Sequence, residues 1–269
     1  MNLPPARQRF YEILQQPESQ IDLAEAALYI AQEARPDLDV EEYLNALQTM
    51  AEEVRERVQD ERYPLRILQG INRYLYEDLG FCGDEQNYYD PQNSFLDAVI
   101  DRRTGIPITL ALVYLEIARR IGFGMVGVNM PGHFLIRPDR QDMEIYVDAF
   151  HRGEILFNED CEERQRQIYG FVVLLPVQFQ PIGARQFLAR MLTNLKFAYW
   201  RRSAWQEALA AVERLLLLFP NTPVEWRDRG ILYYRLGRTG EARHDLENYL
   251  KVASIEEAAR IRALLDELE

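Results

Sequence analysis

A chain of 269 residues with 48% hydrophobic and 28% charged side chains has the composition of a globular protein large enough to bury one large core or two. Its formal net charge of -12 argues against binding to a phosphate backbone, which needs a cationic surface, although arginines pair locally at 102–103, 119–120 and 201–202. Two cysteines, Cys82 and Cys161, without a CxxC or a Cys/His metal spacing, exclude a disulfide framework and fit a reducing cytosol. The N-terminus lacks an apolar signal core, and no apolar run approaches the ~20 residues of a membrane span. The expectation is a cytoplasmic protein with no nucleic-acid partner, no membrane contact and no cofactor.

Residues 5 to about 78 read as helices. Phe10, Ile13 and Leu14 recur at helical spacing, as do Leu23, Ala26, Ala27, Ile30 and Ala31, and then Val40, Tyr43, Leu44, Leu47, Met50, Ala51 and Val54. A further helix is predicted over 64–79, with Pro64 in the tolerated first turn and Gly80 as its stop. Residues 81–92, dense in Gly, Asp, Asn and Tyr, read as a loop, followed by a short helix over 94–102 and a break at Thr104-Gly105. Pro107 opens the helix with the widest apolar face, carried by Leu110, Ala111, Val113, Tyr114, Ile117, Ala118 and Ile121, and Gly122 closes it. Strands are predicted over 124–129, 133–137 and 143–150.

The last two strands permit a register argument. With Asp139-Arg-Gln-Asp142 as a four-residue hairpin loop, Arg137 faces Glu144, Ile136 faces Ile145, Leu135 faces Tyr146 and His133 faces Asp148. An opposite-charge pair and two apolar pairs fall into place together, and the register predicts a His133–Asp148 pair on one face.

After a Pro- and Gln-rich linker over 175–183 the chain turns wholly helical. Residues 34 apart match: Asn194 with Asp228, Tyr199 with Tyr233, Trp200 with Tyr234, Glu207 with Glu241 and Ala208 with Ala242. That period is the tetratricopeptide signature, and two repeats plus a last helix over 255–268 are fewer than stand alone, so they are expected to pack on the preceding domain. The domain reading is a helical region at 1–80, an α+β core at 81–175 and helical repeats at 184–269.

Thiol hydrolases place a cysteine at a helix N-terminus, where the macrodipole and a neighbouring imidazolium lower its pKa, and a carboxylate or amide orients the base. The stretch Arg103-x-Gly-Ile-Pro107-Ile-Thr-Leu-Ala111 resembles the one that carries the transglutaminase-like cysteine, with Pro107 in the nucleophile slot. Gly132-His133 and Val147-Asp148 resemble the histidine and aspartate motifs of the same superfamily. Over roughly residues 40–260 the chain resembles the bacterial SirB-type family, through Asn93-Ser94, Arg103 to Leu110, Pro131-Gly-His-Phe-Leu135, Val147-Asp148 and Arg190-Met-Leu-x-Asn-Leu-Lys196. The resemblance implies a papain/transglutaminase-like α+β core followed by tetratricopeptide repeats, with the proline in the slot as part of the family pattern.

Two replacement nucleophiles are open to the sequence: Thr109 in the first turn of the 107–121 helix, and Cys82 in the loop before the core. A first-turn threonine more often bonds nearby backbone, a half-buried thiol is usually inert, and Cys161 lies in an acidic run that disfavours a thiolate. His133 with Asp148 reads either as a polar strut or as the wall of a ligand site, with Asn93, Arg103 and Thr109 as further binding candidates. His151 and His244 have no companions at metal-ligand spacing, so surface or capping roles are expected and no metal site is predicted. The functional expectation is a non-enzymatic interaction or regulatory scaffold: a degenerate transglutaminase-like domain whose His133 cleft holds a peptide or small polar ligand, with repeats whose groove takes a protein or peptide. The alternative is a cryptic acyl-transfer or amide-hydrolysing enzyme that uses Cys82 or Thr109 with His133 and Asp148.

Overall fold

The computed structural model describes residues 3–140, 143–170 and 179–268. The chain divides into two compact units, Met1–Leu188 and Ala189–Glu269. The segments expected at 1–80 and 81–175 share the first unit, because one helix draws both into a single core.

That helix is α6 (Pro107–Arg120), in which every residue from Pro107 to Ala118 is buried. A helix buried on all sides needs partners all round. They are α2 (Leu23–Ala34), α3 (Val40–Val58), α4 (Pro64–Asn72) and α5 (Leu96–Arg102) from the helical half, and β3 (Met125–Val128) and β4 (Leu135–Pro138) from the sheet. The entry to α6 is built by its own residues. Pro107 takes the first position, where its missing N–H costs nothing, and Thr109 Oγ1 accepts from the Ile106 N–H at 3.2 Å. Asp22 and Asp39 cap α2 and α3 by accepting from the Glu25 and Glu41 N–H groups. The helix α1 (Pro5–Leu14) opens the chain, and α4 runs directly into a π-helical turn over Arg73–Asp78. The loop expected at 81–92 and the break at Thr104-Gly105 instead contribute a two-residue parallel pair, β1 (Cys82–Gly83) with β2 (Thr104–Gly105).

The main sheet is antiparallel in the order β3-β4-β5-β6, where β5 is Tyr146–Asp148 and β6 is Glu154–Leu156. Its register corrects the sequence reading. Ile136 pairs with Val147, not with Ile145, so the four-residue loop over 139–142 does not form and the connection is longer; residues 141–142 lie outside the described ones. Arg137 donates to the Pro138 carbonyl at 3.3 Å, in place of the expected pairing opposite Glu144. A slip of two residues returns every side chain to the same face, so the shift keeps His133 and Asp148 on one side as diagonal neighbours. Strand β6 and the helix after it, α7 (Asn158–Tyr169), have no counterpart among the expected elements. Of the expected linker, Pro181 bridges Val128 and the Ile182 N–H donates to the Gly127 carbonyl at 3.0 Å, which extends the β3 edge; residues 175–178 lie outside the described ones.

The helix α8 (Ala184–Arg201) leads into the second unit, which adds α9 (Trp205–Leu218), α10 (Pro223–Arg235), α11 (Thr239–Leu250) and α12 (Ile255–Asp266). The 34-residue period is structural: Ala208 and Ala242 are both fully buried, and Ser203 and Gly237 both take positive φ in equivalent turns. Gly230 lets α10 and α11 approach closely, since a Cβ there would lie 2.8 Å from the Leu246 side chain. The position 34 residues earlier is Lys196, buried and ion-paired across to α10 through Glu225 and Asp228 at 2.8 Å each.

Candidate functional site

His133 lies just ahead of β4, not within a strand. Its N–H donates to the Met130 carbonyl at 3.0 Å, and Gly132, at φ 72°, supplies the left-handed position that a Pro-Gly turn of this type requires. Asp148 ends β5. Its Oδ1 accepts from the N–H groups of Phe150 and His151 at 3.1 and 3.2 Å, which folds the chain into a tight turn ending at Gly153. A π-helical clamp holds that turn. Tyr76 donates its hydroxyl to the Ala149 carbonyl at 3.1 Å, Arg152 Nη2 donates to the Tyr76 carbonyl at 2.9 Å, and Asn72 Nδ2 donates to the Gly153 carbonyl at 2.7 Å. Gly153, at φ 74°, is obligatory there, for a Cβ would lie 2.2 Å from Asn72 Oδ1. Tyr114 of α6 donates to that same oxygen at 2.9 Å, so the buried helix and the turn share one polar anchor.

The second carboxylate oxygen of Asp148 is the focus of the site. His133 Nε2 stands 2.7 Å from Oδ2, His151 Nδ1 2.9 Å and Arg164 Nη1 2.7 Å. Arg164 reaches in from α7, with its Nη2 on Glu154 Oε2 at 2.6 Å and its Nη1 2.5 Å from His151 Nδ1. Asp148 is fully buried. Burial works to raise its pKa, but hydrogen bonds and charge from His133 and His151 outweigh it and hold the carboxyl well below the usual carboxylate range. An ionised carboxylate only accepts, so a neutral His133 carries its proton on Nε2 and turns a lone pair out at Nδ1. That is the orientation of a base in a thiol triad.

Pro107 is buried at the helix start. Thr109 is fully buried, with its hydroxyl donating to the Asn93 carbonyl at 2.7 Å while it accepts from the Ile106 N–H. Cys82 is exposed, with its sulfur 3.6 Å from Thr104 Oγ1. Among the described residues neither group hydrogen-bonds His133; the imidazole has the Phe150 and His151 rings 6.1 and 5.7 Å away. The Asn93 amide donates to Asp84 Oδ2 and to the Asn87 carbonyl, and its oxygen accepts from Arg102, so this buried side chain is occupied within the loop. Arg103, at φ 54°, donates to the Leu79 carbonyl at 2.7 Å. Cys161 is buried, and burial with the charge of Asp160 pushes its thiol up to about 12.

His151 was expected to lack companions, and the fold corrects this by placing it three residues after Asp148 across the tight turn. The spacing Asp148-x-x-His151, with Gly153 following, carried that signal. Arg164 and Glu154 carried none, because the face of α7 turned towards the sheet is a tertiary outcome.

The fold and the site together define a transglutaminase-like domain joined to tetratricopeptide repeats. Comparison with known families agrees: the transglutaminase-like superfamily matches residues 41–193, and a tetratricopeptide repeat family matches 195–266. The chain is similar to a UPF0162 protein of Xylella fastidiosa (strain 9a5c), 39% identical over 237 residues that cover 86% of this chain and 84% of the relative. It is also similar to a UPF0162 protein of Vibrio cholerae, 29% identical over 218 residues and 80% of each chain. A human relative, F-box only protein 21, is 28% identical over 262 residues, 83% of this chain and 40% of that protein. No solved structure matches the chain. The chain belongs to the transglutaminase-like superfamily and, within it, to the bacterial UPF0162, or SirB-type, family.

Proposed function

We propose that this protein is a non-enzymatic binding scaffold: a transglutaminase-like cleft that holds a small polar ligand beside His133, and a repeat unit that takes a protein or peptide partner. The observation that carries the reading is the occupied nucleophile slot. Pro107 offers no attacking atom, and the Thr109 hydroxyl is spent on the Asn93 carbonyl at 2.7 Å. Tetratricopeptide repeats generally mediate protein–protein contact, and the match to part of a longer F-box protein fits a module that serves beside other segments. Among the described residues no helix is long and apolar enough to cross a membrane.

Alkylation tests the cleft. Iodoacetamide is expected to modify Cys82 of the native chain at the rate of a free cysteine, to spare buried Cys161, and to give the same rate in His133→Ala. A rate well above free cysteine that His133→Ala abolishes would revive the thiol enzyme. For the repeats, a photoreactive phenylalanine in place of exposed Phe197 on α8 is expected to crosslink a protein partner in cells. Crosslinks formed only from exposed Tyr89, whose ring contacts Tyr88 and through it Phe150 beside His133, would assign the partner to the His133 side instead.

A further inference from the structure

The geometry points to a divalent transition-metal site formed by His133, Asp148 and His151, with Arg164 as the competing cation. This deepens the reading of the cleft as a ligand site without a nucleophile, on which it rests, and names the ligand class. His133 Nε2, Asp148 Oδ2 and His151 Nδ1 all lie within 4.8 Å of one another. Two of their separations are 2.7 and 2.9 Å. Ligand atoms on a tetrahedral zinc with bonds of about 2.0 Å stand roughly 3.3 Å apart, so the two separations from Asp148 Oδ2 have to open by about half an ångström, while the two imidazole nitrogens already lie within 4.8 Å of each other. Two imidazoles and one carboxylate, with a further position left for water, suit zinc and its neighbours in the first transition row.

The surroundings are built for it. Asp148 Oδ1 is tied to two backbone N–H groups, which aims Oδ2 alone into the cluster. His133 and Asp148 are buried, whereas the His151 side chain is 38% exposed and gives an ion a way in. His133 joins as a ligand by carrying its proton on Nδ1, so that the Nε2 lone pair faces the metal.

Arg164 supplies the second line of argument. Its Nη1 lies 2.5 Å from His151 Nδ1 and 2.7 Å from Asp148 Oδ2. If Nδ1 carries a proton, two donors face each other. If it does not, two acceptors face each other at 2.9 Å. No placement of protons satisfies all three contacts. A metal ion accepts lone pairs from all three ligand atoms at once, and Arg164 keeps a carboxylate partner in Glu154 at 2.6 Å when Nη1 withdraws.

The test is calorimetric titration of the full chain with zinc chloride, in a Cys82→Ser background that removes the exposed thiol as a rival ligand. Saturable one-to-one binding is expected, with His133→Ala and His151→Ala each weakening it by about tenfold or more and Arg164→Met tightening it by about tenfold. Far-UV circular dichroism checks that each variant is folded. Cobalt(II) bound to the unsubstituted cleft is expected to show visible bands of low-symmetry nitrogen and oxygen ligation, a readout that needs no cleft variant. Absence of saturable binding in both the parent and Arg164→Met overturns the site. So does binding that both histidine variants leave unchanged, which would mark an adventitious ion on an acidic surface. The alkylation rates involve no metal, so failure of this site and failure of the non-enzymatic reading are told apart.

Discussion

Replacing Lys196 with methionine is expected to destabilise the repeat unit by about 3–5 kcal/mol, the usual cost of stranding a buried charge. The Lys196 ammonium donates to both Glu225 oxygens at 2.8 and 2.9 Å and to Asp228 Oδ2 at 2.8 Å, and all three side chains are nearly closed to water. Methionine keeps the packing of the stem but leaves two carboxylates facing each other, with Arg227 hydrogen-bonded to Asp228 and to Glu257. Tryptophan fluorescence isolates the effect, because Trp200, Trp205 and Trp226 all lie in the second unit. The denaturant midpoint should fall with an unchanged slope. Adding Glu225→Gln should recover part of the loss, since it removes one of the stranded charges.

The loss also has a sign in pH. Burial raises the Glu225 pKa above its ordinary value, while Lys196 pulls it down. Without Lys196 the folded state takes up a proton at Glu225 more readily than the unfolded chain does. Stability of the variant therefore rises as pH falls from neutrality towards the carboxylate range. The opposite slope would mean that burial does not hold the Glu225 pKa of the folded variant above that of the unfolded chain.

Asp148→Asn is the second large effect, expected at about 3–5 kcal/mol on the first unit, although it changes only one group. Oδ1 accepts from two backbone N–H groups, and Oδ2 receives His133, His151 and Arg164. An amide has a single acceptor oxygen, so in either orientation its NH2 confronts donors in a buried site. The first unit has no tryptophan, so near-ultraviolet circular dichroism of its tyrosines during urea unfolding is the appropriate measurement. A loss below about 1 kcal/mol would show that the cluster relaxes around the amide and that Asp148 is not the organising charge.

Much of this architecture was legible in the chain. The Pro107 helix, the α+β core, the 34-residue repeat and the sharing of a face by His133 and Asp148 follow from local rules of proline placement, apolar period and strand alternation. The hairpin register was not legible. Alternation has a period of two, so pairing Ile136 with Ile145 or with Val147 satisfies it equally, and the choice falls to contacts with β6 and the turn after Asp148. Thr109 illustrates the same limit. Its place in the first turn was visible, but its hydroxyl is committed to the Asn93 carbonyl, a partner 16 residues away that only the packing of loop on helix supplies.

By itself the sequence determined most of the helices and the kind of protein: a proline at the start of the buried helix, a histidine and an aspartate on one face, and repeats behind them. Only the tertiary structure decided what surrounds that pair. His151 comes from a tight turn and Arg164 from a helix 16 residues beyond Asp148, and both converge on one carboxylate oxygen. Periodicity reports which face of an element is apolar. It does not report which distant element will present a charge to that face, because the angle and register of packing are set by the whole core at once.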